Sequence, residues 1–557
     1  WYAQPKAYET WMGEVFSNWS DNFTTEFKIS HKDYSAVRVP PVNMPSIRIN
    51  GFAGSSALLI GTEQNTHTNI VESKELSAFG AATWYVGDHT VKFGFDHSDN
   101  DLNNFYGRNL NGAYTYSTLN DFLAGRAPSN YIVRDPLDGV RSNVAAAFTL
   151  KNTGLFLQDT WAVNYNLSLM AGVRIDMPDF EDQRLYNAGI EAQYGYNNTN
   201  LVDDKLVQPR VGFNYTFDSD RPTQLRGGVG LFGGAAPNVW LAGAYQNTGF
   251  NYVEYDPRGS ANLGQVQFTP DGMNPYIPTS GAGRQNLDLI EPGTKLPSVW
   301  KANLAFDHEL PWYGITASAE VLFTKVNDAL YFERLDLTDG TAGPTGYAPD
   351  GRAMYWNAQG FDPANNYIDN NRRVQGITDG RNGVSNRASR PGWVGDVMLL
   401  RNTSEGKGTQ ATFSLAKPMT DSWAWSLGYT YTKATEVSPL ASSQNTSNWS
   451  GTLINNVNEN VAYNSRYAIK DRVTGTLEFK HNFFGDYATR FGMFYEGRSG
   501  RPFSYIFYND VNGDSAATND LFYVPNGYGD VEFLGGAAME KNVFDWLAQN
   551  PELQAYQ

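Results

Sequence analysis

Apolar and polar residues alternate along this chain with a period of two. The stretches run roughly 9–11 residues, the length a tilted β-strand needs to cross a bilayer. From Asn166 to Asp176, Leu167, Leu169, Ala171, Val173 and Ile175 fall on one face, and Ser168, Met170, Gly172, Arg174 and Asp176 on the other. The same pattern sets Phe23, Thr25, Phe27 and Ile29 against Thr24, Glu26, Lys28 and Ser30. It sets Val91, Phe93 and Phe95 against Lys92, Gly94 and Asp96, and Val211, Phe213, Tyr215 and Phe217 against Arg210, Gly212, Asn214 and Thr216. Ile315, Ala317, Ala319 and Val321 continue it, followed by Trp423, Trp425, Leu427, Tyr429 and Tyr431, and then by Phe491, Met493 and Tyr495 against Arg490, Gly492 and Glu496. No apolar run reaches the length of about 18 residues that a spanning helix requires.

Soluble sandwiches also alternate, with the apolar face turned inward. The connections separate the two cases. Short turns are expected near Trp19–Asn22, Gly87–Asp88, Asn164–Tyr165, Asp218–Pro222, Leu310–Tyr313, Pro418–Asp421 and Asn482–Asp486. Between them lie polar loops near 32–74, 100–144, 177–206, 233–297, 326–393 and 435–466. Outer-membrane barrels keep this order, with short periplasmic turns and longer extracellular loops. Keeping it here requires residues 394–417 to form one long strand, bulged at Gly406 and Gly408. The fold expected is all-β: a large antiparallel transmembrane barrel with about 14 strands in residues 1–557, read as one domain. The tail from Asn550 to Gln557 is polar and reads as irregular. Because strand edges in lipid need partners, closing strands are expected beyond residue 557 and before residue 1.

Aromatic residues collect beside the short turns: Trp161 and Tyr165, Trp312 and Tyr313, Trp423 and Trp425, Phe483, Phe484 and Tyr487. Amphipathic rings favour the headgroup level, so these read as a membrane girdle in preference to cross-strand pairs of a soluble sheet. The long loops, rich in Asn, Gly, Asp, Ser and Pro, are expected mostly to face water, some folding over the barrel mouth.

Composition narrows the class further. The chain of 557 residues has no cysteine, which excludes a disulfide framework and thiolate metal sites. A formal charge of −16 argues against nucleic acid as a partner. The start, Trp1-Tyr2-Ala3-Gln4-Pro5, has neither the basic start nor the apolar core of a signal peptide.

Several segments resemble TonB-dependent receptors. Asn152-Thr153-Gly154-Leu155-Phe156-Leu157-Gln158-Asp159-Thr160-Trp161 is similar to the family strand ending in Gln-Asp-x-Trp. Ala171-Gly172-Val173-Arg174-Ile175-Asp176 and Gln208-Pro209-Arg210-Val211-Gly212-Phe213-Asn214-Tyr215 resemble the strands that follow it. Leu225-Arg226-Gly227-Gly228-Val229-Gly230-Leu231-Phe232, with Pro237-Asn238-Val239-Trp240, is similar to the next. These last segments point to the Oar-like subgroup, as do Leu399-Leu400-Arg401-Asn402-Thr403 and Asp510-Val511-Asn512-Gly513-Asp514 with Asn519-Asp520. The resemblance covers roughly residues 75 to 525. It implies substrate capture by extracellular loops and a plug, and energised transport driven by a periplasmic TonB protein. Neither a plug nor a TonB box is visible in this sequence, so coupling is carried by analogy.

Among local constellations, Asp510, Asn512, Asp514 and Asp520 offer oxygen ligands spaced by two around Gly513, as a hard cation such as Ca²⁺ would require. A surface Asx turn is the plainer reading. Arg174, Arg210, Arg226, Glu320, Glu478 and Arg490 are expected to line a wet lumen, solvated there or, as the resemblance implies, touching a plug. Gly227-Gly228-x-Gly230 sits within an alternating strand and reads as a close-packed or bulged strand, not a phosphate loop. The six His residues, at 31, 67, 89, 97, 308 and 481, form no ligand pair and read as surface or lumen residues. Nothing in the sequence supports catalysis, and no cofactor beyond that Ca²⁺ is expected. The function expected is an outer-membrane receptor and transporter whose partners are lipid, a TonB complex and an unidentified substrate. A passive channel and a secreted adhesin are the alternatives.

Overall fold

The structure is a computed structural model describing residues 2–554, other than 53–55, 183, 203, 257–260, 280–282, 339–342, 349, 359–366, 369–373, 376–387, 389–390, 421, 508–509, 517 and 534. Asp421 of the expected turn, the end of the tail and much of the expected 326–393 loop therefore lie outside the described residues.

Fourteen long strands form an antiparallel wall. They are β1 (Lys6–Ser20), β2 (Phe23–Val37), β3 (Asn69–Val86), β4 (His89–Tyr106), β5 (Ala146–Ala162), β6 (Leu167–Phe180) and β7 (Leu206–Thr216). The second half comprises β8 (Thr223–Gly233), β9 (Ser298–Glu309), β10 (Thr316–Arg334), β11 (Lys407–Thr420), β12 (Trp423–Glu436), β13 (Asp471–Phe484) and β14 (Tyr487–Arg498). Each pairs with its neighbours in chain order. Three shorter strands bring the sheet to 17. Among the described residues β1 pairs only with β2, and β14 only with β13. This is the architecture of a large transmembrane barrel wall, with short turns at one end and long connections at the other.

The two faces of the wall differ as the alternation requires. Leu157, Val173, Val211, Leu304, Phe323, Phe413 and Leu427 are exposed large apolar side chains, and each lies on the face opposite Arg174, Arg226 and Glu320. In water such a band would be an aggregation surface; in hydrocarbon it is the solvated face. Trp19, Trp84, Tyr165, Trp312, Tyr313, Phe484 and Tyr487 are exposed beside the short turns, at the level where a girdle belongs. Close strand approach depends on glycine at few places. At Gly94 a Cβ would stand 2.2 Å from the carbonyl oxygen of Gly80 and 2.8 Å from the Phe156 ring.

Residues 394–417 differ from the expected bulged strand. The segments Val394–Thr403 and Lys407–Thr420 both pair with β10. Thr403 lies opposite Ala329 and Lys407 opposite Lys325, so three residues on each side separate the ladders and none is inserted. The path is interrupted at 404–406, where Gly406 takes φ 121°, and is not bulged. Gly408 sits in regular ladder opposite Thr324. Nor is there a bulge at Gly227 and Gly228, which pair in register with Phe213 and Gly212.

The long loops are more ordered than their polar composition suggests. Ser46–Phe52, Ser56–Gly61, Ala113–Tyr116, Asn130–Pro136 and Tyr252–Tyr255 form a five-stranded sheet. Its core is Ile47, Ile49, Tyr114, Tyr116, Tyr131, Val133 and Val266. A second cluster joins Ile190, Tyr194, Leu287, Leu289, Val394, Val397 and Leu399. A few apolar residues from each loop suffice because they pool. His67 is buried within this layer, correcting its expected exposure. It accepts from the backbone N–H of Asn111 at 3.0 Å, and burial pushes its pKa down to about 4.

A separate compact unit comprises residues 342–389, 450–457 and 503–557. A helix runs over Gly536–Ala548, and within the tail expected to be irregular from Asn550 a second short helix forms over Pro551–Gln554. Leu547 and Leu553 pack there with Val524, which supplies the burial that short helices need.

Lipid contact on the apolar face has a direct test. Val211, 52% exposed at the middle of β7, replaced by Arg should cost about 2–4 kcal/mol in bilayer folding titrations. Gln410→Arg, on the opposite face of β11, should cost under about 1 kcal/mol. Equal costs would mean that the first face does not meet hydrocarbon.

Candidate functional site

At the loop end of the wall lies a cavity of about 540 Å³, lined by strand ends and by several loop segments, among them those of Asn65, Arg134 and Asp396. The strand ends contribute Lys6, Tyr34 and Ala36, Val71, Asn104 and Tyr106, with Arg38 and Arg108 just past β2 and β4. Facing residues come from the helix Asn238–Gln246, from Asn286 and Asp288 on the strand Gln285–Ile290, and from Ser443, Gln444 and Asn445. Its size fits a small ligand, and its lining is mainly amide, hydroxyl and charge.

A hydrogen-bond chain holds the centre. Tyr106 donates to Asn65 Oδ1 at 2.5 Å and accepts from Gln444 Nε2 at 2.8 Å. Gln246 donates to the carbonyl oxygens of Tyr106 and Val144, both at 2.9 Å. Arg134 is neutralised by Glu254 at 2.9 Å. Asp396 is in an ion pair with Arg334 at 2.5 Å. Asp288 is buried and accepts from Asn247 Nδ2 at 2.7 Å. Burial pushes its pKa up to about 6, against the pull of the Asn247 and Asn445 amides.

The six expected lumen residues share the inner face and are spread along it. Arg174 forks onto Asp96 at 2.6 and 2.9 Å and also meets Asp176 at 2.5 Å. Arg226 pairs with Asp307, and Glu320 accepts from Asn303 at 3.1 Å. Arg210 Nε is buried without a hydrogen-bond partner. Glu478 and Arg490 occupy the last hairpin, opposite Gly492 and Lys480. None of the six lines the cavity.

In the separate unit, Asp510, Asn512, Asp514 and Asp520 are all nearly fully buried. Asp510 accepts from the backbone of Gly513 and Ser515, Asp514 from that of Ala516, and Asp520 from that of Val511. Asp520 also pairs with buried Arg352 at 2.9 Å. This is an Asx-type turn closed by its own backbone amides. Among the described residues no group of three or more His, Asp or Glu side chains is arranged to hold a metal ion.

Residues 15–544 match the family model of the outer membrane beta barrel domain. The chain belongs to that family. This places the barrel in the bacterial outer membrane. It is similar to the copper transporter OprC, at 12% identity and TM-score 0.42, with 86% of this chain and 51% of that one covered. It is also similar to the outer membrane transporter YddB from Escherichia coli, at 12% identity and TM-score 0.49, covering 86% of this chain and 49% of that one. A mutant ferric enterobactin receptor, PfeA from Pseudomonas aeruginosa, is similar at 11% identity and TM-score 0.47, covering 94% of this chain and 52% of that one. The barrel spans about half the length of these solved structures. No curated protein matches it by sequence.

Sequence reasoning missed the cavity because its lining comes from segments scattered between Gln4 and Thr446, with no local motif. The one available signal was the cations at or just past the loop ends of inner-face strands.

The buried aspartates set a pH dependence. Burial outweighs the attraction of Arg352 and pushes Asp520 up from 3.8 to about 6; burial also raises Asp514. A carboxyl with a raised folded pKa stabilises the fold fully below its unfolded value, and that stability is lost as pH rises through the folded value. In chelator, amide protection over 503–557 should therefore be higher at about pH 4.5 than at about pH 7.5, and Asp520→Asn should flatten the difference. Protection that falls on acidification would refute this.

Proposed function

We propose that this barrel is a receptor and transporter of the outer membrane. It captures a small polar substrate in the cavity between its strand ends and its loop layer, and moves it with TonB-supplied energy. The observation that carries the reading is the cavity itself: a polar chamber built jointly by the inner face of the wall and by ordered loops. A passive channel gains nothing from ordering so much chain over its mouth, whereas a receptor needs a pre-formed site. The energy source rests on the resemblance of the strand motifs to TonB-dependent receptors. No catalytic role is assigned.

The test is uptake in cells carrying the intact gene, a deletion, and the intact gene with a protonophore. Accumulation of the substrate should be lost in the deletion and equally lost when the proton-motive force collapses. Uptake that survives the protonophore, with steady open-pore conductance in planar bilayers, would make the barrel a passive channel. Solubility without detergent would point to the adhesin.

A structural Ca²⁺ at Asp510, Asn512, Asp514 and Asp520 belongs to the same reading, supported by three buried carboxylates beside one buried guanidinium. Millimolar Ca²⁺ should raise amide protection over 503–557 and Mg²⁺ should not. No response to Ca²⁺ leaves the plain Asx turn.

A further inference from the structure

Apart from Arg134, which is paired with Glu254 on the loop side and also attracts Asp288, and Asp396, which is paired with Arg334, the charges lining the cavity are sorted by side. Lys6, Arg38 and Arg108 stand on the side of the strand wall, and among the described residues none of them is in an ion pair. The Nε atoms of Arg38 and Arg108 are buried without a hydrogen-bond partner, and the Arg38 guanidinium also lies 4.9 Å over the Tyr2 ring. A guanidinium presents a fork of donors matched to carboxylate oxygens, and a buried donor left without an acceptor is costly. These cations stand out in a chain whose formal charge is −16.

The loop side has the opposite character. Asp288 is 6% exposed, and its contacts are amides: Asn247 at 2.7 Å, with Asn445 beside it. No ion pair engages it among the described residues. Asn445 is 7% exposed, and its Oδ1 is buried without a hydrogen-bond partner. A carboxylate and an orphaned amide oxygen together suit a group with several N–H donors, as an ammonium has. Tyr106, Gln444 and Asn65 also line the cavity, Tyr106 accepting from Gln444 and donating to Asn65.

We propose that the cavity takes a small zwitterion of the amino-acid or short-peptide class, its carboxylate toward Arg38 and Arg108 and its ammonium toward Asp288 and Asn445. The assignment rests on the receptor reading of the cavity. A neutral sugar leaves the guanidinium groups unmatched. A simple anion meets Asp288 as a like charge. A zwitterion matches both sides, and its peptide groups match the amides that also line the cavity. A volume of about 540 Å³ admits a short peptide and excludes a folded chain.

The experiment is calorimetric titration of the full chain in detergent with tri-alanine, its N-acetyl form, its C-terminal amide, and glucuronate. Tri-alanine should bind, and blocking either end should weaken binding at least about tenfold, as expected for losing one charge-assisted contact. Asp288→Asn should weaken tri-alanine and leave the N-acetyl form unchanged. Arg108→Gln should weaken tri-alanine and leave the amide unchanged. Lys6→Gln, at an exposed position, gives the same comparison should the Arg108 variant fail to fold. Equal binding of all three peptides, glucuronate binding that is indifferent to Asp288→Asn, or no peptide binding at millimolar concentration would each overturn the proposal. Selective binding without energised uptake would remove the transport reading and leave this one standing. Energised uptake of a substrate lacking the zwitterion pattern would do the reverse.

Discussion

Hydrocarbon offers no water to a backbone N–H or C=O, and each group left unpaired there costs several kcal/mol. This constraint shapes the wall. It forces β2 through β13 to have a neighbour on both sides and keeps their ladders long and in register. It also accounts for the break at 404–406, where pairing with β10 resumes in unchanged register and Gly406 absorbs the irregular backbone at φ 121°. Such freedom is tolerated only where backbone can find protein or water. The short strands, helices and turns accordingly collect in the loops, where a five-stranded sheet builds a core of its own.

The same constraint explains what was legible in the sequence. With one face in lipid and the other in water, a strand must alternate, so the fourteen long strands announce themselves and their turns fall within three residues of expectation. The loop layer carries no such rule. Ile47 and Ile49 are buried by Tyr114, Tyr131 and Val266, partners tens to hundreds of residues away, and no local period records that meeting. His67 is concealed for the same reason: its burial comes from chain near Asn111 and Arg141. The helices of the tail were missed because Leu547 and Leu553 find Val524 only in three dimensions.

The cavity sits at the junction of these two regimes, and its electrostatics follow from that position. Along the wall, charge is neutralised laterally: Arg174 by Asp96 and Asp176, Arg226 by Asp307, and Lys92 by Glu26 at 3.4 Å. Arg226 and Asp307 stand on adjacent strands, Arg174–Asp96 and Lys92–Glu26 each reach across one intervening strand, and Asp176 lies two residues from Arg174 on the same face. Past the last regular pairs the register ends, and among the described residues Arg38 and Arg108 have no ion-pair partner. The cations at the mouth add to the unpaired charge left on the wall at Arg210 and at Arg490 opposite Lys480, and at the mouth loops exclude water and a cleft focuses the field. Lateral pairing along part of the wall and unpaired cations at the mouth together are the arrangement that the proposed receptor would use, with binding concentrated where the loops close over the strands.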